Sequence, residues 1–147
     1  MTPFPVAASI AMESWDVLVL GDGPAALRAA ISSAEAGATP LLVTGSSVGA
    51  ASGRSPLSGF AASLNETTPS SHIQDTISEG GETTDEEAAT RICSSAVESL
   101  AELERWGLVL RRSSDGSPHL SQLPGHSVPR VAGCGDSTVR EVTRILE

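Results

Sequence analysis

The chain of 147 residues has the length of one domain and carries a formal net charge of −9 at pH 7. Its nine basic residues are all arginines and form no basic run, which argues against nucleic acid and an anionic membrane surface as partners. Two widely separated cysteines, and the lack of any apolar run of about 18 residues, predict a soluble cytoplasmic protein with no transmembrane segment of its own.

The two ends of the chain differ from its middle. Residues 1–14 include a short apolar run without a basic start, so we interpret them as a flexible leader rather than a signal peptide. Residues 15–147 then form the folded part. Their last segment still has an amphipathic helical pattern at Glu147 and contains no stop signal, so we expect the N-terminal portion of a larger domain.

A strand, a glycine-rich turn, a helix and a second strand follow one another between Trp15 and Thr44. The apolar run Val17–Leu20 precedes the sequence GDGPAA, and Leu41–Val43 has the pattern of the second strand. In this βαβ order, the G-x-G-x-x-A spacing is typical of dinucleotide-binding turns. We expect a Rossmann-like α/β fold with a parallel sheet, in which a pyrophosphate is held by Gly21, Gly23, Pro24, Ala25 and Ala26.

Each small residue of this turn is needed for a different reason. Gly21 permits a tight turn, Gly23 lets the backbone approach the pyrophosphate, and Ala26 lets the helix pack closely on the strand. Thr44 and Gly45 stand where an acidic residue usually binds the ribose. The identity of the dinucleotide therefore stays open at this point.

The loop at residues 45–56 consists almost entirely of small residues and carries one charge, Arg54. Such a loop is either an idle linker or a backbone that wraps closely around a cofactor. The ordered apolar segment that follows it, residues 57–62, favours the second interpretation.

The longest helix is expected at residues 83–106, with acidic residues in its first turn and Gly107 as its stop. Cys93 on this helix is expected to be buried as a small hydrophobe. The expected buried stripe consists of Ala88, Ile92, Ala96, Leu100 and Leu103.

Two shorter helices are predicted with side-chain caps. Residues 70–78 predict a helix capped by Ser70 or Ser71 and ended by two glycines. The final helix is expected to be capped by Asp136 or Ser137.

A hairpin is predicted over residues 108–121. Asp115 and Gly116 supply its turn signal, and His119 is expected to be exposed and uninvolved in function.

His126, Ser127 and Arg130 lie close together in a segment rich in glycine and proline. They could form an anion site for a carboxylate substrate, or a turn that is held by side-chain hydrogen bonds. The spacing supports both interpretations equally. No G-x-S-x-G elbow supports a hydrolase, and the histidines and cysteines do not have the spacing of metal ligands.

Four motifs in the correct order resemble the N-terminal part of the flavoprotein subunits of succinate dehydrogenase and fumarate reductase, within a wider family that includes L-aspartate oxidase. They are GDGPAALRAA, HIQDTISEGGETTDEE, ELERWGLVL and GHSVPRVAGCGDST. The resemblance runs from Asp16 to the last residue and implies that the dinucleotide is FAD. It also accounts for Thr44, because this family has a serine and a lysine, rather than an acid, at that point.

The resemblance further implies which residues surround the flavin and ADP parts of FAD. The stretch 44–59 matches a family segment without a gap. Ser52 stands where that segment has the histidine that links the flavin covalently, so non-covalent FAD is expected. The cofactor-binding residues implied by this match are Thr44, Gly45, Ser52, Gly53, Arg54, Ser55, Ser58 and Gly59.

The resemblance implies the interconversion of succinate and fumarate or of a similar dicarboxylate, with an iron–sulfur subunit as a partner that could hold the protein at the inner face of the membrane. His126 and Ser127 would lie near the substrate, and no catalytic residue is expected before residue 147. Leu123 stands where aspartate oxidases have a glutamate for the substrate's amino group. It favours a dicarboxylate without an amino group. An aspartate oxidase, another FAD-dependent reductase and a non-catalytic dinucleotide-binding fragment remain alternatives.

Overall fold

The computed structural model describes residues 13–48 and 59–147. Most of the expected leader, residues 1–12, lies outside this part. The described elements are β1 (Val17–Leu20), α1 (Pro24–Glu35), β2 (Pro40–Val43), β3 (Phe60–Ala61), α2 (Ser70–Gly80), a 3₁₀ turn (Gly81–Thr83), α3 (Glu86–Arg105), β4 (Val131–Ala132) and α4 (Thr138–Leu146).

The predicted βαβ unit is confirmed. Strands β1 and β2 pair in parallel, with Val17 opposite Pro40. Helix α1 begins at a proline, whose fixed φ suits a first helical residue, and Gly37 at φ 85° follows its end. Leu18 and Leu20 alternate with the buried Val19 and are 60% and 72% exposed, so one face of this sheet is left apolar and open.

A second, short sheet joins distant parts of the chain. Strands β3 and β4 pair antiparallel, with Phe60 opposite Ala132. The core surrounds this sheet and the inner faces of the helices, and α1 also packs against α4. The buried cluster consists of Leu27, Ala62, Ala96, Leu100, Leu103, Leu108, Leu110, Ala132 and Leu146.

The predicted inner face of α3 was partly wrong. Ile92 is 67% exposed, whereas Ala89 and Cys93 are buried together with Ala96, Leu100 and Leu103. Helix α2 packs against α3, and the Thr76 hydroxyl lies 3.4 Å from Cys93 Sγ. This contact turns Cys93 inward and Ile92 toward solvent, while the expectation of a buried Cys93 is confirmed.

The predicted serine caps do not form. The residue preceding α2 is Pro69, and the Ser71 hydroxyl donates instead to the Glu66 carboxylate. Ser137 does precede α4, but its side chain makes no capping bond. The hydroxyl of Thr138, one residue later, donates to the Gly135 carbonyl at 2.7 Å.

The predicted hairpin keeps its turn but not its strands. Gly116 has φ 84°, and the Ser113 N–H donates to the Ser117 carbonyl at 2.8 Å. The ladder is limited to one bridge, between Arg112 and Pro118. The His119 N–H also donates to the Arg111 carbonyl at 2.8 Å across the two arms. Both arms bond to the region of β4 as well: the Arg111 N–H donates to the Gly133 carbonyl at 2.9 Å, and Ser121 pairs with Val131.

His119 is exposed, as expected. No helix within residues 13–48 and 59–147 is both long and apolar enough to cross a bilayer.

Candidate functional site

The turn between β1 and α1 requires small residues at two positions. Gly21 has φ 141°, and its N–H donates to the Val43 carbonyl at 3.0 Å, which ties the turn to the end of β2. A Cβ at Gly21 would lie 3.1 Å from the Cβ of Ala26. Gly21 and Ala26 therefore allow the strand end and the first helical turn to approach each other closely.

The N-terminus of α1 is open to an anion. Gly23 precedes the helix in an extended conformation and offers no side-chain cap, and Pro24 has no N–H. The N–H of Leu27 bonds to the Gly23 carbonyl at 3.1 Å, which leaves the N–H groups of Ala25 and Ala26 before it. No acidic residue lies in the first turn of the helix. This geometry fits the pyrophosphate of a dinucleotide.

The end of β2 completes one side of this turn. The Thr44 hydroxyl donates to the Ser46 carbonyl at 2.5 Å, so its oxygen keeps only acceptor capacity for a ribose. The Ser46 hydroxyl donates to the Asp22 carboxylate at 3.2 Å, which joins the loop after β2 to the glycine turn. A Cβ at Gly45 would meet no atom of the described residues within 4 Å.

Five of the expected cofactor-binding residues lie outside the described residues. They are Ser52, Gly53, Arg54, Ser55 and Ser58. Gly59 is described, and a Cβ there would lie 2.5 Å from Val131 Cγ1 and 2.6 Å from the Ala132 carbonyl oxygen. The close approach of β4 thus already requires a glycine at this position, a reason that the sequence did not reveal.

A second cluster surrounds Arg130, which is 1% exposed. Its Nε donates to Glu66 at 3.3 Å, its Nη1 to Asp75 at 2.5 Å, and its Nη2 to the Ser71 hydroxyl at 2.7 Å. Because Ser71 in turn donates to Glu66, the guanidinium and the two carboxylates form one connected network. The buried positive charge is therefore paired on two sides.

The Asp75 carboxylate holds the segment that contains His126. The same oxygen that meets Arg130 accepts the Ser127 N–H at 2.7 Å and the Ser127 hydroxyl at 2.8 Å. These bonds from Ser127, followed by the one from Arg130, lower the pKa of Asp75 to about 2. Burial alone would raise the pKa of Glu66, but the bond from Ser71 and the charge of Arg130 help to hold it below its usual value.

Two histidines lie beside this network. His72 is buried, and its Nδ1 has no hydrogen-bond partner among the described residues. Its ring centroid lies 6.1 Å from that of His126. Burial, and then the neighbouring Arg130 and His126, lower the pKa of His72. The neutral form of His72 is therefore favoured in the folded chain.

The structure distinguishes between the two interpretations of His126, Ser127 and Arg130. It brings all three together, but the charge of Arg130 is paired with carboxylates of the chain itself, and the Ser127 hydroxyl donates to Asp75. The geometry therefore favours the second interpretation, a turn that is held by side-chain hydrogen bonds. The sequence motifs HIQDT and GHSVPR thus meet in space, although their spacing did not predict that Asp75 joins them.

The model of a family described as "FAD binding domain" matches residues 16–146. An L-aspartate oxidase from the chloroplast of Arabidopsis thaliana is 31% identical over 96% of this chain and 22% of its own length. The succinate dehydrogenase flavoprotein subunit of Coxiella burnetii is 30% identical over 89% of this chain and 24% of its own length.

A solved structure gives the same result. In "Mycobacterium smegmatis Sdh1 in complex with UQ1", one chain superimposes with a TM-score of 0.85 and 33% identity. The match covers 91% of the present chain and 23% of that chain. The present chain thus spans less than a quarter of the length of each of these three proteins. It belongs to the FAD-binding domain family.

Proposed function

We propose that this chain is the FAD-binding N-terminal portion of a flavoprotein oxidoreductase that interconverts succinate and fumarate, or a similar dicarboxylate. The observation that supports it most is the pairing of an open dinucleotide turn with a separately braced segment that carries His126. The turn suits the cofactor, and the segment 122–130 contains the residues that the family resemblance assigns to the substrate region.

The residues that would hold FAD are those of the turn. The N–H groups of Ala25 and Ala26, behind the close Gly21 contact, suit the pyrophosphate, and the Thr44 oxygen suits a ribose hydroxyl. Bound FAD would supply the redox chemistry at a carbon–carbon bond, while the protein binds and orients. Gly59 and its neighbours before it, which include Ser58, would bring the backbone close to the flavin.

We further propose that the FAD is not covalently bound. Ser52 and Gly53 stand where the family segment has histidine and threonine, and a serine hydroxyl is no substitute for the linking imidazole. Arg54 and Ser55, which follow these two positions, would make polar contacts to the cofactor.

The nature of the substrate rests on Leu123. Its carbonyl accepts the His126 N–H at 3.2 Å, so the two residues, three positions apart in the sequence, are close in space. An apolar side chain there gives no partner to an ammonium group, which supports a dicarboxylate without an amino group. The second candidate, an aspartate oxidase, is favoured by the relatives with that name.

Two further properties are proposed from the family resemblance alone. An iron–sulfur subunit would receive or supply the electrons. The protein would lie in the cytoplasm, at the inner face of the membrane where that partner holds it.

The substrate proposal is tested by anaerobic bleaching of the FAD-loaded protein that carries this chain. We expect succinate to bleach the visible absorbance of the flavin, and aspartate to leave it unchanged. Bleaching by aspartate alone would favour the aspartate oxidase. FAD that is retained but bleached by no dicarboxylate would indicate a binding module without this activity.

The mode of attachment is tested by acid precipitation of the same protein. We expect the yellow flavin to remain in the supernatant. Flavin that stays with the precipitated polypeptide would contradict non-covalent binding, without affecting the substrate assignment.

A further inference from the structure

The ring of His126 faces a group that can only donate. Its Nδ1 lies 3.2 Å from Nη1 of Arg130. A guanidinium group has five N–H donors and no acceptor, so Nδ1 has to be the acceptor of this bond. A neutral imidazole that accepts at Nδ1 carries its proton on Nε2.

We propose that Arg130 is a positioning residue that holds His126 in the Nε2–H tautomer, so that the ring offers a neutral N–H donor to a carboxylate ligand. The identity of that ligand, a dicarboxylate, rests on the proposed function. The tautomer itself does not, because it follows from the contact between the two side chains.

Arg130 is well suited to this role because it cannot turn away. Its side chain is only 1% exposed. Its Nε donates to Glu66, and its Nη2 donates to Ser71. Nη1 carries two hydrogens, one for Asp75 and one for His126. The planar group therefore presents its second Nη1 hydrogen in a fixed direction.

His126 is held from its backbone as well. Its carbonyl accepts from Gln122 Nε2 at 2.9 Å, and its N–H donates to Leu123. The preceding Gly125 has φ 82°, and a Cβ there would lie 3.0 Å from Cγ of Glu79. With Ser127 bonded to Asp75, the backbone on both sides of His126 is fixed, and the contact with Arg130 sets the orientation of the ring.

The tautomer matters for the chemistry of recognition. An Nε2–H group donates to a carboxylate, whereas an Nε2 lone pair would repel it. The ring thereby binds an anionic oxygen without taking or giving a proton. This is a binding contribution rather than acid or base catalysis.

The direct test is a long-range ¹H–¹⁵N correlation spectrum of the FAD-loaded protein labelled with [¹⁵N]histidine, at a pH where the rings are neutral. The His126 signal is assigned by its loss in the variant His126→Gln. We expect the pattern of a protonated Nε2 and an unprotonated Nδ1. The opposite pattern, or a mixture of both, in the unsubstituted protein overturns the proposal.

Substitutions of Arg130 separate positioning from general support. Arg130→Lys retains a cation that can only donate, and we expect it to keep the Nε2–H pattern. In Arg130→Met, we expect the pattern to relax to the mixture of tautomers of a free imidazole, and the binding of succinate to weaken about tenfold, the equivalent of one charge-assisted hydrogen bond. The surface variant Arg91→Met, whose partner Glu87 is exposed, serves as the matched control.

The outcomes distinguish this inference from the proposed function. An Nε2–H pattern in a protein that does not bind succinate would leave the positioning role intact and overturn the assigned ligand. A folded, FAD-containing Arg130→Met protein that retains the Nε2–H pattern would overturn the positioning role, whatever the ligand. If Arg130→Met does not fold, the pattern in the unsubstituted protein and in Arg130→Lys decides.

Discussion

Asp75 and Ser127 are 52 positions apart, and the Asp75 carboxylate accepts hydrogen bonds from both the backbone N–H and the hydroxyl of Ser127. The same oxygen also meets Arg130. One carboxylate on α2 thus anchors the segment that carries His126 at two points. The segment 122–130 contains no helix or strand of its own, so its position depends on this contact.

The variant Asp75→Asn should therefore lower the free energy of unfolding by about 3 kcal/mol, because it removes one of two charges that compensate a buried guanidinium. Urea unfolding followed by circular dichroism measures this loss. Asp115→Asn is the matched control: Asp115 is exposed and bonds locally to Ser117, so its replacement should change the free energy of unfolding far less. Equal effects of the two substitutions would contradict the anchoring role of Asp75.

Gly59→Ala should destabilise the protein by about 2 kcal/mol, since the new methyl group would overlap β4. One of the two atoms it meets is a backbone carbonyl oxygen, which cannot move aside without disturbing the pairing of β3 with β4. Gly45→Ala is the control, because its Cβ has open space among the described residues. Thermal unfolding compares the stability of the two variants. A Gly59→Ala protein as stable as Gly45→Ala would contradict the close contact between residue 59 and β4.

Gly21→Ala should weaken FAD binding more than tenfold. The position has φ 141°, and the added Cβ would press on Ala26 at the start of α1, where the pyrophosphate is expected. Fluorescence titration with FAD gives the dissociation constant. Gly116→Ala, also at positive φ but in the distant turn, controls for general backbone strain; equal losses of affinity would contradict a specific role of the Gly21 turn.

The stability should fall as the pH drops below about 6.5. The pKa of His72 is lower in the folded chain than its ordinary value of 6.5, so between these two values the unfolded chain binds the proton more readily. The stabilising effect is complete above 6.5 and is lost progressively toward the folded-state pKa. Urea unfolding at pH 7, 6 and 5 measures the slope, which should flatten in His72→Gln and persist in His119→Gln. A slope unchanged in His72→Gln would rule out this origin.

Local features were well predicted from the sequence. The βαβ unit follows from two apolar runs on either side of a glycine turn and a helix-forming segment, and each part depends mainly on its near neighbours. The confirmed turn residues, Gly21 and Ala26, could be recognised because their spacing reflects a steric requirement. The same holds for Gly107 and Gly116, whose positive φ values suit a helix end and a turn.

Features that depend on distant contacts were less predictable. Ile92 and Cys93 are neighbours with similar hydrophobic character, and only the packing of α2 decides which one faces inward. The predicted cap of α2 failed because Pro69 precedes the helix, and because the Ser71 hydroxyl accepts from Arg130 and donates to Glu66 instead. Likewise, the guanidinium of Arg130 could bind either a ligand or a carboxylate of the chain itself. The spacing of Arg130 from His126 in the sequence does not distinguish between these two partners.

The short sheet of β3 and β4 has a consequence for the order of events during synthesis. Phe60 and Ala61 emerge from the ribosome long before Val131 and Ala132, their only strand partner among the described residues, have been made. The glycine at 59 is therefore fixed in place late, when most of this chain has been translated.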